Sequence, residues 1–276
     1  LTIMEEGNEF IEWYTSGKKR PMFTSCCPGW VRFAKLHYPQ FVEQLSTSKS
    51  PHQMLGAVVK NTLKEPMEVE GKKRMFVVAK KYECGVPQLS TEAGPDVDAV
   101  LTTREFNSML RMFKVNCAEL EEVPFDNPLG LSTGAGTIFG RTGGVMEAAL
   151  RTAAFILTGK NPDFATCDTT EATPERPWTD KTLEIADLTI KIAVASGLEN
   201  TSKLLEALEA GEAKYDFVEI MACPGGCVGG GGQPIEFNVE MAAERAKVLN
   251  RLDSNDTLRF SHENPDIQKL YADWIG

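Results

Sequence analysis

The stretch YDFVEIMACPGGCVGGGGQP, Tyr215 to Pro234, joins an apolar run to a loop with two cysteines four residues apart and four consecutive glycines. Residues 215–221 read as a strand, and the switch to Cys, Pro and Gly marks its end. A strand that delivers such a loop at its carboxyl end is what an α/β layer uses to build a site. Working outward, strands are expected at about 184–195 and a helix at 200–210 before this stretch. A helix at 236–250 and a last helix after SHENP (261–265) are expected beyond it.

The N-terminal half alternates in the same way. Ile3, Phe10, Ile11 and Tyr14 space a helix over 3–16, closed by Ser16-Gly17. Pro28 suits the first turn of a helix running through Val31, Phe33, Ala34 and Leu36 to Pro39, which leaves Cys26 and Cys27 at its N-terminus. Ser50 and Pro51 start a helix through Leu63, MFVVA at 75–79 reads as a buried strand, and 96–106 as a strand followed by a helix to about Phe113. Residues 131–157 form a glycine-rich loop feeding a long helix, and Asn161–Thr182, rich in Pro, Thr, Asp and Glu, reads as an exposed loop. No internal repeat is present. The fold class expected is α/β.

The 276 residues are enough for one large domain or two lobes, and the 42% hydrophobic and 25% charged content are those of a soluble globular protein. No apolar run approaches the roughly 20 residues of a membrane span, so no membrane partner is expected. The opening LTIMEEGNEF lacks the basic and apolar regions of a signal peptide, and a chain starting at Leu1 reads as a fragment. A net charge of −10, with no basic cluster beyond Lys72-Lys73-Arg74, argues against nucleic acid as a partner.

Seven cysteines stand at 26, 27, 84, 117, 167, 223 and 227. Adjacent Cys26-Cys27 and the close pair Cys223/Cys227 make a poor disulfide framework, so metal binding or redox chemistry is the better reading. Soft thiolates select iron–sulfur clusters or zinc, and ordinary buried cysteines are the third possibility. His37, His52 and His262 lack the spacing of a zinc finger or zincin. Open amides at the helix start beside Cys27 favour an anionic thiolate or cluster there. Glycines 134, 136, 140, 143 and 144 lack the GxxxxGK[ST] pattern of a phosphate loop, so this loop and Gly229–Gly232 are expected to let backbone approach something bulky. Glu6 and Glu9 are one helical turn apart; alone, they suit a solvated face as well as a proton path. Met221 alone suits core packing, and His262 an ordinary hydrogen-bonded turn.

Four motifs together resemble one family. FTSCCPGW at 23–30, LSTGAGTIFGRTGGVMEAALRT at 131–152, FVEIMACPGGCVGGGGQP at 217–234 and RFSHENP at 259–265 are similar to the catalytic domain of iron-only (FeFe) hydrogenases, over nearly the whole chain. The Nar1-like cytosolic iron–sulfur assembly factors have similar cysteine loops but usually lack the TGGVMEAALRT helix entry. The resemblance implies two lobes, approximately 1–125 and 126–276, with mixed, mostly parallel sheets flanked by helices and a metal cluster in the cleft between them. It implies an H-cluster: a 4Fe-4S cubane joined to a two-iron subcluster carrying CO, cyanide and a bridging dithiolate. By this resemblance Cys27 and Cys223 would ligate the cubane, and Cys227 would ligate it while bridging to the two-iron unit. Cys26 would relay protons, with Glu6, Ser46 and Glu9 as the path to the surface. A thiol, with a reference pKa of about 8.5, suits such exchange. Met221 would pack on the two-iron unit, Phe139-Gly140 would contact its diatomic ligands, and Lys80 would hold a cyanide. The implied reaction is reversible reduction of protons to hydrogen, with ferredoxin or flavodoxin as electron donor and hydrogenase maturation proteins as partners. The implied compartment is the cytoplasm, or a hydrogenosome or plastid in a eukaryote.

One family motif is broken. The element that reads roughly SxMPCxAKK in the family is MFVVAKKYE at 75–83 here, which keeps Lys80 and Lys81 but lacks the cysteine that would be the fourth cubane ligand. The spacing places a deletion of about six residues between Val78 and Ala79. Cys84 is the one nearby substitute. The family's catalytic domain also begins before LTIMEEG and continues past YADWIG, so the chain is expected to be truncated at both ends, and it has no CxxCxxC run for an accessory cluster domain. An inactive copy lacking the cysteine motif, or an assembly factor, therefore stands beside the hydrogenase reading.

Overall fold

The computed structural model describes residues 1–62, 68–69, 72–73, 76–78, 80–92, 94–124, 129–170, 176–234 and 241–275. In chain order come α1 (Thr2–Ser16), β1 (Met22–Phe23), α2 (Pro28–His37) and α3 (Pro51–Thr62). Short strands follow: β2 (Glu68–Val69), β3 (Lys72–Lys73), β4 (Phe76–Val78), β5 (Ser90–Thr91), β6 (Gly94–Pro95) and β7 (Ala99–Leu101). Then come α4 (Thr103–Met112), α5 (Gly134–Thr137), α6 (Gly144–Thr158), α7 (Phe164–Cys167), β8 (Thr179–Ile185) and β9 (Leu188–Ser196). The chain closes with α8 (Leu198–Glu209), β10 (Phe217–Met221), α9 (Met241–Asn255) and α10 (Pro265–Leu270). No helix of the described residues is long and apolar enough to cross a membrane.

Two compact units are present. The first holds Leu1–Ser48, Ser132–Gly230 and Asn238–Gly276; the second holds Lys49–Leu131 and Gly231–Phe237. The expected lobes, 1–125 and 126–276, cut the chain by position. Contacts group it otherwise, because β1 near the N-terminus pairs with β10, nearly two hundred residues later.

The first unit is built on a four-stranded sheet of order β1-β10-β9-β8. β1, β10 and β9 run parallel, and β8 closes the edge as an antiparallel hairpin with β9. β10 is buried at all five positions, as a central parallel strand between helical layers must be. Its alternation divides two cores. Phe217 and Met221 join α1 and α6 through Ile3, Phe10, Met146 and Leu150. Val218 and Ile220 join α2 and α8 through Trp30, Ala34, Leu204 and Leu205. A helical layer therefore lies on each face of the sheet. Beneath α6, Arg151 makes two bonds to Asp253 of α9, at 2.9 and 2.8 Å, and a third to Glu147 at 2.5 Å. Such bidentate pairing of opposite charges is the form in which ions are tolerated in a core.

The second unit is smaller in its elements. β4 pairs parallel with β7, and α4 starts on a capping box in which Thr102 and Glu105 satisfy each other's amides. Lys49 and Asp96 pair at 2.7 Å in the same unit.

Most sequence-predicted elements are present within a few residues. One differs: the loop expected over 161–182 contains α7, with Cys167 buried, and gives way to strand at Thr179. Pairing of β8 along β9, from Thr179↔Val194 to Ile185↔Leu188, overrides the polar composition. Of the helix expected at 236–250, residues up to 240 lie outside the described residues, and the helix runs on to Asn255.

Phe217 is fully buried and stacks on Phe10 at 4.6 Å between ring centroids. Phe217→Ala should lower unfolding stability by about 3–5 kcal/mol in urea melts. Leu36→Ala, at a position 65% exposed, should change stability by less than about 0.5 kcal/mol.

Candidate metal centre

Cys26 and Cys27 follow β1, and Cys223 follows β10. Those strands are parallel neighbours, so both cysteine loops leave the sheet at one edge. Cys27 is the N-cap of α2, with an extended backbone and Pro28 at the first helical position, so its sulfur sits where helix amides are open. The Ala222 amide donates to Cys27 Sγ at 3.4 Å, tying the two loops together. Ser196, at the end of β9, braces the same edge. Its hydroxyl accepts from the Gly225 amide at 2.8 Å and donates to the Cys223 carbonyl at 3.4 Å.

The glycines have a partner that sequence alone did not indicate. A Cβ at Gly226, where φ is +88°, would lie 2.7 Å from the Thr142 amide nitrogen and 2.8 Å from the Gly140 carbonyl oxygen. At Gly144 it would lie 1.7 Å from the Ile138 carbonyl oxygen. The two glycine-rich loops close on each other's and their own backbone, and only glycine admits that approach.

None of the seven cysteines forms a disulfide. Cys27 and Cys223 are half-buried and Cys227 is exposed. Among the described residues, no three His, Cys, Asp or Glu side chains are placed to grip a single metal ion. Three thiols carried on neighbouring loops, one accepting an amide, are a donor set for iron–sulfur chemistry. By donor chemistry they would supply three corners of a cubane. Of the other cysteines in this unit, Cys26 is buried in the core beside Met221, and Cys167 is buried with its thiol pushed up to about 12 by burial and then by Glu147. Neither supplies an open thiolate for a fourth corner. Cys84 lies in the second unit, where its thiol donates to the Lys81 carbonyl at 3.1 Å. The cysteine motif breaks off between Val78, which ends β4, and Ala79, which lies outside the described residues.

Behind the cysteines, the structure gathers Glu6, Ser46 and Glu9. Glu6 is buried, and neither carboxylate oxygen has a hydrogen-bond partner among the described residues. Burial, reinforced by Glu9 and Glu219, raises its pKa to about 8 against the weaker pull of Ser46 and the Ser25 backbone. At neutral pH it is a carboxylic acid. Ser46 donates to Glu9 Oε2 at 2.5 Å, while the Thr47 amide and hydroxyl donate to Glu9 Oε1 at 2.9 and 2.8 Å. Glu9 is thus an acceptor at the protein surface end of the group. Met221 and Cys26 share one buried cluster, and Phe139 packs against it. Gly140 ends the short helical turn Ile138–Gly140 that precedes α6. Lys80 is in the second unit, with φ +76° and its Nζ 3.8 Å from Glu83 Oε2. His262 is a hydrogen-bonded core histidine, 3.2 Å from Thr152 and stacked on Phe155.

Two residues escaped the reading of sequence: Ser196 and Glu219. Glu219 is fully buried in β10, where its two carboxylate oxygens accept from the Gly143 amide at 2.7 Å and the Met146 amide at 2.6 Å. A lone acid in the otherwise apolar run FVEIM was the available signal, because alternation puts it on the same face as Phe217 and Met221.

Comparison with known proteins gives the same reading. The model of the iron only hydrogenase large subunit, C-terminal domain, matches residues 1–231, and that of the iron hydrogenase small subunit matches 239–276. The chain is 43% identical to the NADP-reducing hydrogenase subunit HndD of Solidesulfovibrio fructosivorans, over 100% of this chain and 49% of the relative. It is 31% identical to the cytosolic iron-sulfur assembly component 3 of Rattus norvegicus, over 100% of this chain and 60% of that protein. A variant of the apo [FeFe]-hydrogenase HydA1 from Chlamydomonas reinhardtii superimposes with a TM-score of 0.83 at 38% identity, covering 100% of this chain and 77% of that one. The chain spans about half the length of the first curated relatives it matches. With the cysteine loops on adjacent parallel strands and a family match over residues 1–231, this chain belongs to the iron-only hydrogenase family.

Proposed function

We propose that this chain is the cluster-bearing part of a hydrogenase that interconverts protons, electrons and hydrogen. The observation that carries the reading is a buried, neutral carboxyl, Glu6, placed behind the edge of the sheet where Cys27, Cys223 and Cys227 emerge. A carboxyl left without hydrogen bonds inside a core is costly, and such groups concentrate where protons are handled.

Cys27, Cys223 and Cys227 would hold the cubane, with Cys227 also carrying the two-iron unit. When bound, the H-cluster supplies the electron storage and metal chemistry that two protons and two electrons need to form hydrogen. The chain's own residues manage the proton. Cys26 holds one at Sγ inside the buried cluster that also contains Met221 and against which Phe139 packs. Glu6 holds another as a carboxylic acid. Ser46 lies against both Glu6 and Glu9, so its hydroxyl can receive a proton from one carboxyl while passing its own to the other. Water is kept from Glu6 and Ser46 by burial, which confines exchange to this line. Electrons would come from a ferredoxin or flavodoxin, and hydrogenase maturation proteins would install the two-iron unit. By the family resemblance alone, Lys80, whose Nζ lies 3.8 Å from Glu83 Oε2, would be the cation offered to cyanide.

The loss of the fourth cysteine favours a second reading, an iron–sulfur binding or assembly protein, which the relative from Rattus norvegicus also supports. Infrared bands of CO and cyanide after loading with the two-iron precursor separate the two.

The chain reconstituted with iron and sulfide should show thiolate-to-iron charge-transfer absorbance, and Cys27→Ser, Cys223→Ser or Cys227→Ser should each abolish or sharply reduce it. After loading with the two-iron precursor, hydrogen evolution from reduced methyl viologen should be low as written and rise when SIMPCT is inserted between Val78 and Ala79; silence in both would return weight to the assembly reading. Glu6→Gln should lose most of the activity of the repaired chain, by about 100-fold or more. It should also change the pH dependence of stability. Glu6 binds its proton more tightly folded than unfolded, so its ionisation weakens the fold as pH rises from the ordinary carboxyl value of 4.5 through about 8. Relative to the parent, Glu6→Gln should gain stability over that interval, by a few kcal/mol in order of magnitude, in denaturant melts at pH 5, 7 and 9.

A further inference from the structure

Glu219 belongs to none of the roles assigned above, yet it is a charged side chain in the middle of a buried strand. Its neighbours explain how it is tolerated. Two amides at the start of α6 donate to it, and the positive end of that fifteen-residue helix faces its carboxylate. Burial still raises its pKa to about 7, against the pull of those two amides and of Arg141 just before the helix, so it ionises ahead of Glu6.

The alignment of α1 over the sheet sets a second carboxyl against it. Phe10 of α1 stacks on Phe217 of β10 at 4.6 Å. One helical turn back from Phe10 along α1 is Glu6, and two residues on from Phe217, on the same strand face, is Glu219. Both are fully buried. The acid groups around Glu6 are thus Glu9 on its own helix and Glu219 from the sheet. Glu9 is already spoken for by Ser46, Thr47 and Ser48.

Two facing carboxyls in a low-dielectric core cannot both ionise, and the one with donors takes the charge. Glu219 has two short amide donors; Glu6 has only the weaker pull of Ser46 and the Ser25 backbone. We propose that Glu219 is a positioning residue of the proton path: fixed on the amides of α6, its carboxylate adds to burial in keeping the facing Glu6 as the neutral acid through which protons pass. The pair titrates together, and the repulsion falls on Glu6, which ionises second. Loss of the Glu219 charge would remove one of the influences that, after burial and beside Glu9, hold Glu6 neutral, so Glu6 would give up its proton at lower pH. This inference rests on the hydrogenase reading for its role in turnover, but the coupling itself is a property of the chain alone.

The test is an infrared titration of the apo-chain, following the C=O stretch of protonated carboxyl groups. The band assigned to Glu6 by its disappearance in Glu6→Gln should persist in the parent to about pH 8. In Glu219→Gln its midpoint should fall by at least about one pH unit, a tenfold weaker hold on the proton. In the loaded, repaired chain the alkaline limb of the pH–rate profile for hydrogen evolution should move down by the same amount. A variant that folds with the parent's circular dichroism and an unchanged Glu6 midpoint overturns the proposal. If Glu219→Gln does not fold, Glu219→Asp is read instead: it keeps the charge and draws it one methylene away from α1. Its midpoint should fall in the same direction by less, and an unmoved one overturns the proposal equally. An inactive loaded parent would instead overturn the hydrogenase reading, and the infrared result would stand on its own.

Discussion

The pairing of β10 between β1 and β9 is the constraint on which the rest of the first unit depends. Those three strands run parallel, so their carboxyl ends share one edge, and Cys27, Ser196 and Cys223 arrive there together. Burial of β10 on both faces then requires a helical layer on each side. One layer, α1 and α6, brings the carboxyl of Glu6 and the amides that hold Glu219. The other, α2 and α8, carries no charge into the sheet at β10 and only fills volume with Val218, Ile220, Trp30 and Leu204.

Sheet register and site chemistry are therefore the same fact seen at two scales. A strand face that reads Phe217, Glu219, Met221 presents, in order, a stacking ring, a charge and a sulfur to α1 and α6. Each of the three has a dedicated counterpart: Phe10 for the ring, the Gly143 and Met146 amides for the charge, and the cluster around Cys26 for Met221. A one-residue slip would send Glu219 to the α2 and α8 side, where those amides do not reach it, and the energetic penalty of an unpaired buried charge specifies the register.

The glycine-rich loops are part of that design. Gly226 rests on the backbone of Gly140–Thr142, and Gly144 on the Ile138 carbonyl, so the cysteine loop and the entry to α6 are locked together without side chains between them. The Gly143 amide, freed by the same turn, is one of the two that hold Glu219. Rigidity at the cysteines and charge placement in the core thus come from one packing arrangement.

Element types and the donor set were legible in the chain itself. Periodicity marked α1, α2, α6 and β10, Pro28 and Gly17 marked helix ends, and the CxxxC loop after an apolar strand marked a metal site, because these depend on residues close in sequence. The missing cysteine before Lys80 was legible for the same reason. Partners across the fold were not. Alternation said that Glu219 shares a face with Phe217, but only the packing of α1 against the sheet sets Glu6 opposite it. Composition read 161–182 as loop until β9 offered a strand to pair with. The grouping of residues 1–48 with 132–230 likewise followed from β1 finding β10. Local patterns decide which face of an element is buried; what lies against that face is decided by long-range pairing, whose energy no window of sequence contains.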